Sequence, residues 1–463
     1  MRPLLGLVGT PKQKTLVRRG ALRKELSMSW TTSRGGVGFL LLTVFCLFGA
    51  AVPSWGQGVY SPEGSLVGTP DTDGNRVDAL FAQAPAGKTA PAPAANQPAN
   101  PPAPTQTPPQ SDFLADIYGR TAASEMGNRL AGTPNMFGDS WESGNGVNVS
   151  GPDGSSSAET PLAGGNRRMK IAENDNSLPQ DRIFVLYNHF QDAASIDDMP
   201  AIGPPTQRSI SLDRYTIGFE KTFLDGLWSF ELRMPFGGGY GYESADFASF
   251  AGQIGNLDVV LKRVLYQSET TVAAIGLCVD TPTGSDATGM GQGVQYNVRN
   301  QAAFLSPYLG ILRTPNDKLF YQAFLQVDVP TNGNRIDYVD TLATGSGAFG
   351  ILNDQTLMYA DLSVGYWLSR NPCADWVTGL AGVVELHYTT TLQDADIVTG
   401  TASGRFFSFG NFSNRVDVLD LTMGLHAELN NHTLCRVAGV VPLRTGDDRL
   451  FNAEVQVQLE RRF

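Results

Sequence analysis

The chain ends in Phe451-Asn452-Ala453-Glu454-Val455-Gln456-Val457-Gln458-Leu459-Glu460-Arg461-Arg462-Phe463. From Phe451 to Leu459 the odd positions are apolar. From Asn452 to Arg462 the even positions are polar. A period of two belongs to a β-strand with one apolar face and one wet face. A soluble sheet and a lipid-facing wall both produce this pattern, so the neighbouring sequence has to decide between them.

Working back from this stretch, strand candidates succeed one another to Arg182. Twelve are read: about 182–192, 213–224, 227–237, 255–267, 270–283, 302–314, 318–330, 355–369, 376–391, 415–429, 432–444 and 450–463. Tight turns with turn-type residues, such as Asp225-Gly226, Ser268-Glu269 and Asn430-Asn431, alternate with long connections at 193–212, 238–254, 284–301, 331–354 and 392–414. The short link Thr445 to Arg449 falls on the long-loop side. Short turns on one rim and long loops on the other predict an all-β, up-and-down antiparallel transmembrane barrel of about 12 strands. Runs of about 11–15 residues exceed sandwich strands and suffice for a tilted crossing of a bilayer. An even count puts both barrel ends on the short-turn rim. Trp228, Trp367, Trp376 and Tyr388 fall near strand ends, as interfacial girdles require.

A terminal amphipathic strand closing on an aromatic residue resembles the ends of Gram-negative outer-membrane β-barrels. The resemblance implies outer-membrane lipid as surroundings and Phe463 as the assembly signal read by the barrel-assembly machinery. A second resemblance lies in Met234-Pro235-Phe236-Gly237, Val279-Asp280-Thr281-Pro282-Thr283-Gly284, Val327-Asp328-Val329-Pro330-Thr331-Asn332-Gly333 and Val440-Val441-Pro442-Leu443-Arg444-Thr445-Gly446. These phrases are similar to those of the outer-membrane family of the MetA pathway of phenol degradation, over 182–463. That implies a channel for small, even apolar, solutes and no catalytic residues. Independently of any family, Pro followed by Gly ends ladder pairing and opens a loop.

The rest of the chain is different material. Val37 to Val52 is the one long apolar run, preceded by Arg34 and followed by Ser54-Trp55-Gly56. It reads as a secretory signal within 1–56, cleaved after Gly56, with Met28 as an alternative start. An uncleaved anchor helix is the rival. Residues 57–181 read as a Pro/Ala/Gly-rich, disordered periplasmic segment whose partner is unknown. Its parts are an extended Ala/Pro/Gln tract at Ala84 to Gln110, a short helix at 112–130 that is a docking element, a plug or a transient helix, and a Gly/Ser/Asn-rich stretch from Gly132 to Gly165. Residues 1–181 hold 15 basic and 15 acidic residues, so the barrel, with 19 against 30, carries the whole net charge of −11. That balance excludes nucleic acid as a partner.

No enzyme, cofactor or metal is expected. The outer-membrane phospholipase A has a His two residues before its nucleophilic Ser. None of His189, His387, His426 or His432 is so followed. No metal-ligand spacing appears either. Cys278, Cys373 and Cys435 are expected as free thiols. Alternation points Glu220, Glu231, Arg233, Asp328, Asp361, Glu385, His387, Asp420, His426, Glu428, Arg436, Glu454 and Glu460 inward. Arg233 is expected to pair with Glu220, and Arg436 to intervene between Glu385 and Glu428. These residues either fill the lumen as a structural charge network or form a constriction selecting cations and polar solutes. The acidic loop residues, including Asp337, Asp340, Asp394 and Asp396, hold divalent cations beside lipopolysaccharide or are a solvated surface. Three functions follow: a small-solute channel, an envelope-anchoring barrel without transport, and a secreted soluble β-protein.

Overall fold

Strict alternation over nine or more residues can bury only one face, and twelve such runs in this chain zip edge to edge. A computed structural model describes residues 130, 132–139, 145–159, 168–237, 241–243, 247–250, 254–430 and 432–463. The expected signal, the Ala/Pro/Gln tract and, Leu130 apart, the 112–130 helix lie outside them. The barrel strands are β1 (Arg182–Pro200), β2 (Thr206–Phe223), β3 (Trp228–Phe236), β4 (Leu257–Gln267), β5 (Thr271–Thr281), β6 (Phe304–Arg313), β7 (Leu319–Pro330), β8 (Leu357–Arg370), β9 (Val377–Thr391), β10 (Asp417–Leu429), β11 (Thr433–Pro442) and β12 (Ala453–Arg462). Each pairs antiparallel with its chain neighbour. β12 returns to β1 in the register Arg462↔Arg182 to Ala453↔Gln191, closing the cylinder.

The wall is inside-out. Ile183, Val185, Leu362, Val364, Tyr366, Met423, Leu425, Val437 and Val455 are exposed outward, while Glu220, Glu231, Arg233, Asp361, Glu385 and Asp420 are buried inward. A soluble sandwich has the opposite arrangement, so the soluble alternative fails on polarity. Phe463 sits exposed at the short-turn rim. Its N–H donates to the Asp181 carbonyl at 3.2 Å, and its ring stacks on Phe219. Trp367 departs from the girdle expectation. It shares parity with Asp361 and is therefore buried on the lumen side against Phe320 and His426. Close approach explains Gly365 on the same face: a Cβ there would lie 1.9 Å from the Phe320 ring.

The long-loop rim is not a set of loops. β1 and β2 run on past the expected ends to a turn at 201–205. Hairpins Gly241–Glu243/Phe247–Phe250, Ala287–Gly291/Val294–Val298 and Asn334–Asp340/Gly345–Leu352 join into one six-stranded sheet. Hairpin Ile397–Ala402/Arg405–Asn411 pairs with Asn145–Gly151. That strand pairs with Gly154–Glu159, which pairs in turn with the end of β1. The turns Gln292-Gly293 and Ser403-Gly404 have both residues at positive φ, the geometry that suits a two-residue hairpin. These sheets enclose a core of Val147, Val149, Tyr296, Ile336, Phe407 and Phe409. The result is a crown with its own apolar interior, standing on the barrel. Several of its acidic residues are paired. Arg335 (2.6 Å) and Arg299 hold the Asp337 carboxyl below its usual range, and Arg415 (2.7 Å) does the same for Asp394.

One expectation for the preceding segment is corrected. Residues 132–139 and 145–159 are not an unstructured run, because the former lie in the lumen and the latter are crown strands. Among the described residues, the lumen is filled by 132–139 and 168–181.

Candidate functional site

Among the described residues, buried charge concentrates in the lumen, around Arg182 at the start of β1. Register sets Arg182 opposite Glu220 on β2, and Glu220 opposite Glu231 on β3. The guanidinium reaches Glu220 at 2.6 Å, Glu231 at 3.0 Å, Glu460 of β12 at 3.0 Å and Asp175 of the lumen segment at 3.4 Å. Lys262 of β4 bonds Asp175 at 2.5 Å and Glu220 at 3.2 Å, Arg233 bonds Glu231, and Arg462 bonds Glu460 at 2.8 Å. Four carboxylates thus meet four cations. Buried charge is tolerated when each group is paired and hydrogen-bonded in this way.

Above this floor the lumen segment climbs and descends. Leu130 packs with Val264, Val272 and Leu312 beside the short turns. Asn135 donates to Glu460 at 3.1 Å, the Phe137 carbonyl accepts from Gln458 at 3.1 Å, and the Gly138 carbonyl accepts from Gln456 at 2.9 Å. Successive contacts therefore step up β12. The N–H groups of Phe137 and Gly138 both donate to Glu385 at 2.9 Å. The descending leg starts at Arg168, which bonds Asp328 at 2.6 Å and the Gln355 carbonyl at 2.5 Å. Gln326 then brackets it, accepting from the Ile171 N–H at 2.8 Å and donating to the Met169 carbonyl at 2.7 Å. Met136, Met169, Ile171 and Ala172 pack on Val260, Tyr308 and Phe324. Inward amides and carboxylates of the wall thus satisfy backbone groups that a segment without a ladder would leave orphaned.

Every inward-predicted residue is buried on the lumen face, but several partners differ from those expected. Arg233 pairs with Glu231 and the lumen segment. Glu220 instead takes Arg182 and Lys262. Arg436 lies over the Phe137 ring at 4.0 Å and donates to Asn135, Asn174 and Gln458, so it does not intervene between Glu385 and Glu428. His387 holds Asp361 at 2.8 Å and Glu385 at 3.2 Å. His426 sits edge-on to Trp367, 4.0 Å from Glu428. Asp420 is fully buried and lies against the Asp139 carboxyl. Cys278, Cys373 and Cys435 are free. Sequence reasoning missed Asn135, Phe137, Asp139, Arg168, Lys170 and Asp175, all supplied by the lumen segment. The available signal was Arg167-Arg168-Met169-Lys170, a basic knot just before an acidic barrel.

No protein-family model matches the chain, and no curated protein matches it. Among solved structures it is similar to an outer-membrane channel from Pseudomonas putida F1 (TM-score 0.39, 10% identity, covering 62% of this chain and 96% of that one). It is also similar to the NanC porin (TM-score 0.32, 8% identity, 61% and 98%). A third likeness is to the Ralstonia pickettii toluene transporter TbuX (TM-score 0.31, 11% identity, 62% and 92%). These likenesses concern barrel architecture alone. The chain's own geometry goes further. A closed, even-numbered barrel with an apolar belt and a polar interior is how outer-membrane proteins cross their bilayer. This chain is such a barrel.

Proposed function

We propose that the protein is an outer-membrane channel for small polar or cationic solutes, closed at rest by residues 132–139 and 168–181. One observation carries this reading: the element filling the lumen is no part of the wall. Neither leg joins the barrel ladder, and both are held by side chains of a wall that is already closed. Such a filler can be displaced without opening the sheet. The excess of inward carboxylates favours cations over anions. An anchoring barrel without transport is the second reading, favoured by the same filled lumen. Planar-bilayer recording on the full chain separates the two. The channel reading expects rare, brief, cation-selective openings. A flat baseline at every voltage, with insertion verified, would establish the anchor.

The short-turn rim, with Phe463 presented to the barrel-assembly machinery, faces the periplasm in this proposal, and the crown faces outward. Cys373 is exposed in the β8–β9 turn, and the Pro152-Asp153 tip is exposed on the crown. On intact cells a membrane-impermeant maleimide should label an Asp153→Cys variant of a Cys373→Ser background. In the native chain Cys373 should react only after the outer membrane is permeabilised. The reverse pattern would invert the orientation.

A further inference from the structure

The wall holds Arg168 as a receptor holds a ligand. Arg168 belongs to the lumen segment, at the outer end of its descending leg, and is buried. Its Nε donates to Asp328 Oδ2 at 2.6 Å, Nη2 to the Asp328 carbonyl at 3.1 Å and Nη1 to the Gln355 carbonyl at 2.5 Å. The guanidinium carbon lies 4.6 Å from the centre of the Phe304 ring. Ser306 donates to the other oxygen of Asp328 at 2.7 Å and so fixes the carboxylate. One carboxylate, two carbonyls and an aromatic face thus read all three nitrogens. They come from β6, β7 and the link into β8. Such a set suits a planar, forked cation better than the point charge of an ammonium.

This receptor has more acceptor capacity than Arg168 uses, and it is reached from the crown. A cleft where crown meets barrel has exposed Asn353 and half-buried Asp396 at its lip, with Asp354 and Arg168 at its bottom. Asp354 accepts from Asn145 at 3.2 Å through Oδ1, while its Oδ2 is buried and without a hydrogen-bond partner. Asp280 of β5, opposite Phe304 in register and buried inward, adds a further carboxylate within reach of the Arg168 charge. One guanidinium therefore faces Asp280, Asp328 and Asp354. Beside it the cleft has room for a group about the size of one water. A larger solute makes full contact only by taking the place of Arg168.

We propose that this pocket is the solute-binding site of the channel, that its ligands are small alkylguanidinium ions, and that Arg168 is a resident occupant which the entering solute displaces. The inference rests on the channel reading above. The exchange conserves charge: the cation of the solute takes over Asp328 and the Phe304 face, so no carboxylate is stranded in the lumen. Release of Arg168 at the outer end of the leg is the first step in freeing Met169 and Ile171 from Gln326.

The test is calorimetric titration of the full chain in detergent with butylguanidinium, and with butylammonium for comparison. Folding is checked by heat-modifiable gel mobility. Arg168→Ala should bind butylguanidinium about tenfold or more tightly than the native chain, because a site filled by its own competitor binds in proportion to its free fraction. Butylammonium should bind more weakly, and Asp328→Asn in the Arg168→Ala background should abolish saturable binding. Equal affinity of the native chain and folded Arg168→Ala, or preference for butylammonium, overturns the proposal. Should Arg168→Ala not fold, the native chain decides. Cys278 is buried with its thiol 3.0 Å from Met169 Sδ, under the descending leg. Its modification by methyl methanethiosulfonate, read on the Cys278 peptide by mass spectrometry, should accelerate saturably with butylguanidinium. No acceleration, or an equal one with butylammonium, overturns the proposal. Both readouts are made without current. A chain that binds butylguanidinium but never conducts keeps the site and refutes the channel, whereas one that conducts without this binding refutes the site alone.

Discussion

Arg182→Met is expected to cost the folded barrel about 3–5 kcal/mol, the scale for removing one partner from a buried ion network. Arg182 is fully buried and touches four carboxylates on three strands and the lumen segment. Removing it leaves Lys262, Arg233 and Arg462 to answer Asp175, Glu220, Glu231 and Glu460. The lumen segment excludes the water that would otherwise solvate the surplus charge. Methionine matches the volume but not the charge, so packing loss is minimised and the electrostatic part is isolated. Arg182→Lys should recover part of the loss only. An ammonium keeps the charge but cannot reach Glu220, Glu231 and Glu460 with a planar fork. Urea titration followed by gel mobility reads the shift. A Met variant unfolding with the native midpoint would mean that water reaches this floor, and that the lumen is not sealed at its base.

The barrel was legible because parity is a local property. Trp228, Phe230 and Leu232 against Ser229, Glu231 and Arg233 need no knowledge of the rest of the chain, and the same holds for β7 and β10. The crown was not legible. Its strands run three to eight residues, rich in Gly, Ser and Thr, as in Ala-Thr-Gly-Met-Gly and Gly-Ser-Gly-Ala-Phe-Gly-Ile-Leu. Their apolar residues meet only after the hairpins have stacked. The lumen segment was hidden for another reason. The wall recognises its backbone, through Gln326, Glu385, Gln456 and Gln458, and backbone recognition imposes no pattern on the segment's side chains. Phe137 and Gln458 are more than 300 positions apart and share no periodicity. Even the inward carboxylates, placed correctly by alternation, kept their roles hidden, because those roles are set by what fills the lumen.

Deleting residues 132–180 should therefore open the barrel, at less cost to its fold than the single Arg182→Met change. The wall ladder is complete without the segment, so the deletion removes no barrel strand. Asp139, Arg168, Lys170 and Asp175 leave together with their contacts, and Arg182 keeps Glu220, Glu231 and Glu460 on the wall. Water fills the space, and inward charges that lose a partner become solvated instead of stranded, which removes most of the penalty for leaving them unpaired. The crown takes the larger loss. Without Asn145–Gly151 and Gly154–Glu159, Phe407 and Phe409 lose Val147 and Val149 from their core, so the outer entrance loosens as the lumen clears. In planar bilayers the open fraction should move from about 1% toward saturation, a population shift worth roughly 5.5 kcal/mol. Glu220, Glu231, Asp258, Asp280, Asp328, Asp361, Glu385 and Asp420 would line the cleared path, against Arg182, Arg214, Arg233, Lys262 and Arg436. Under a salt gradient the reversal potential should therefore take the sign of cation preference. A folded deletion variant that stays silent would place the barrier in the remaining crown. One that conducts but prefers anions would refute the acidic path, because the charge lining it would then have to be set by groups other than these.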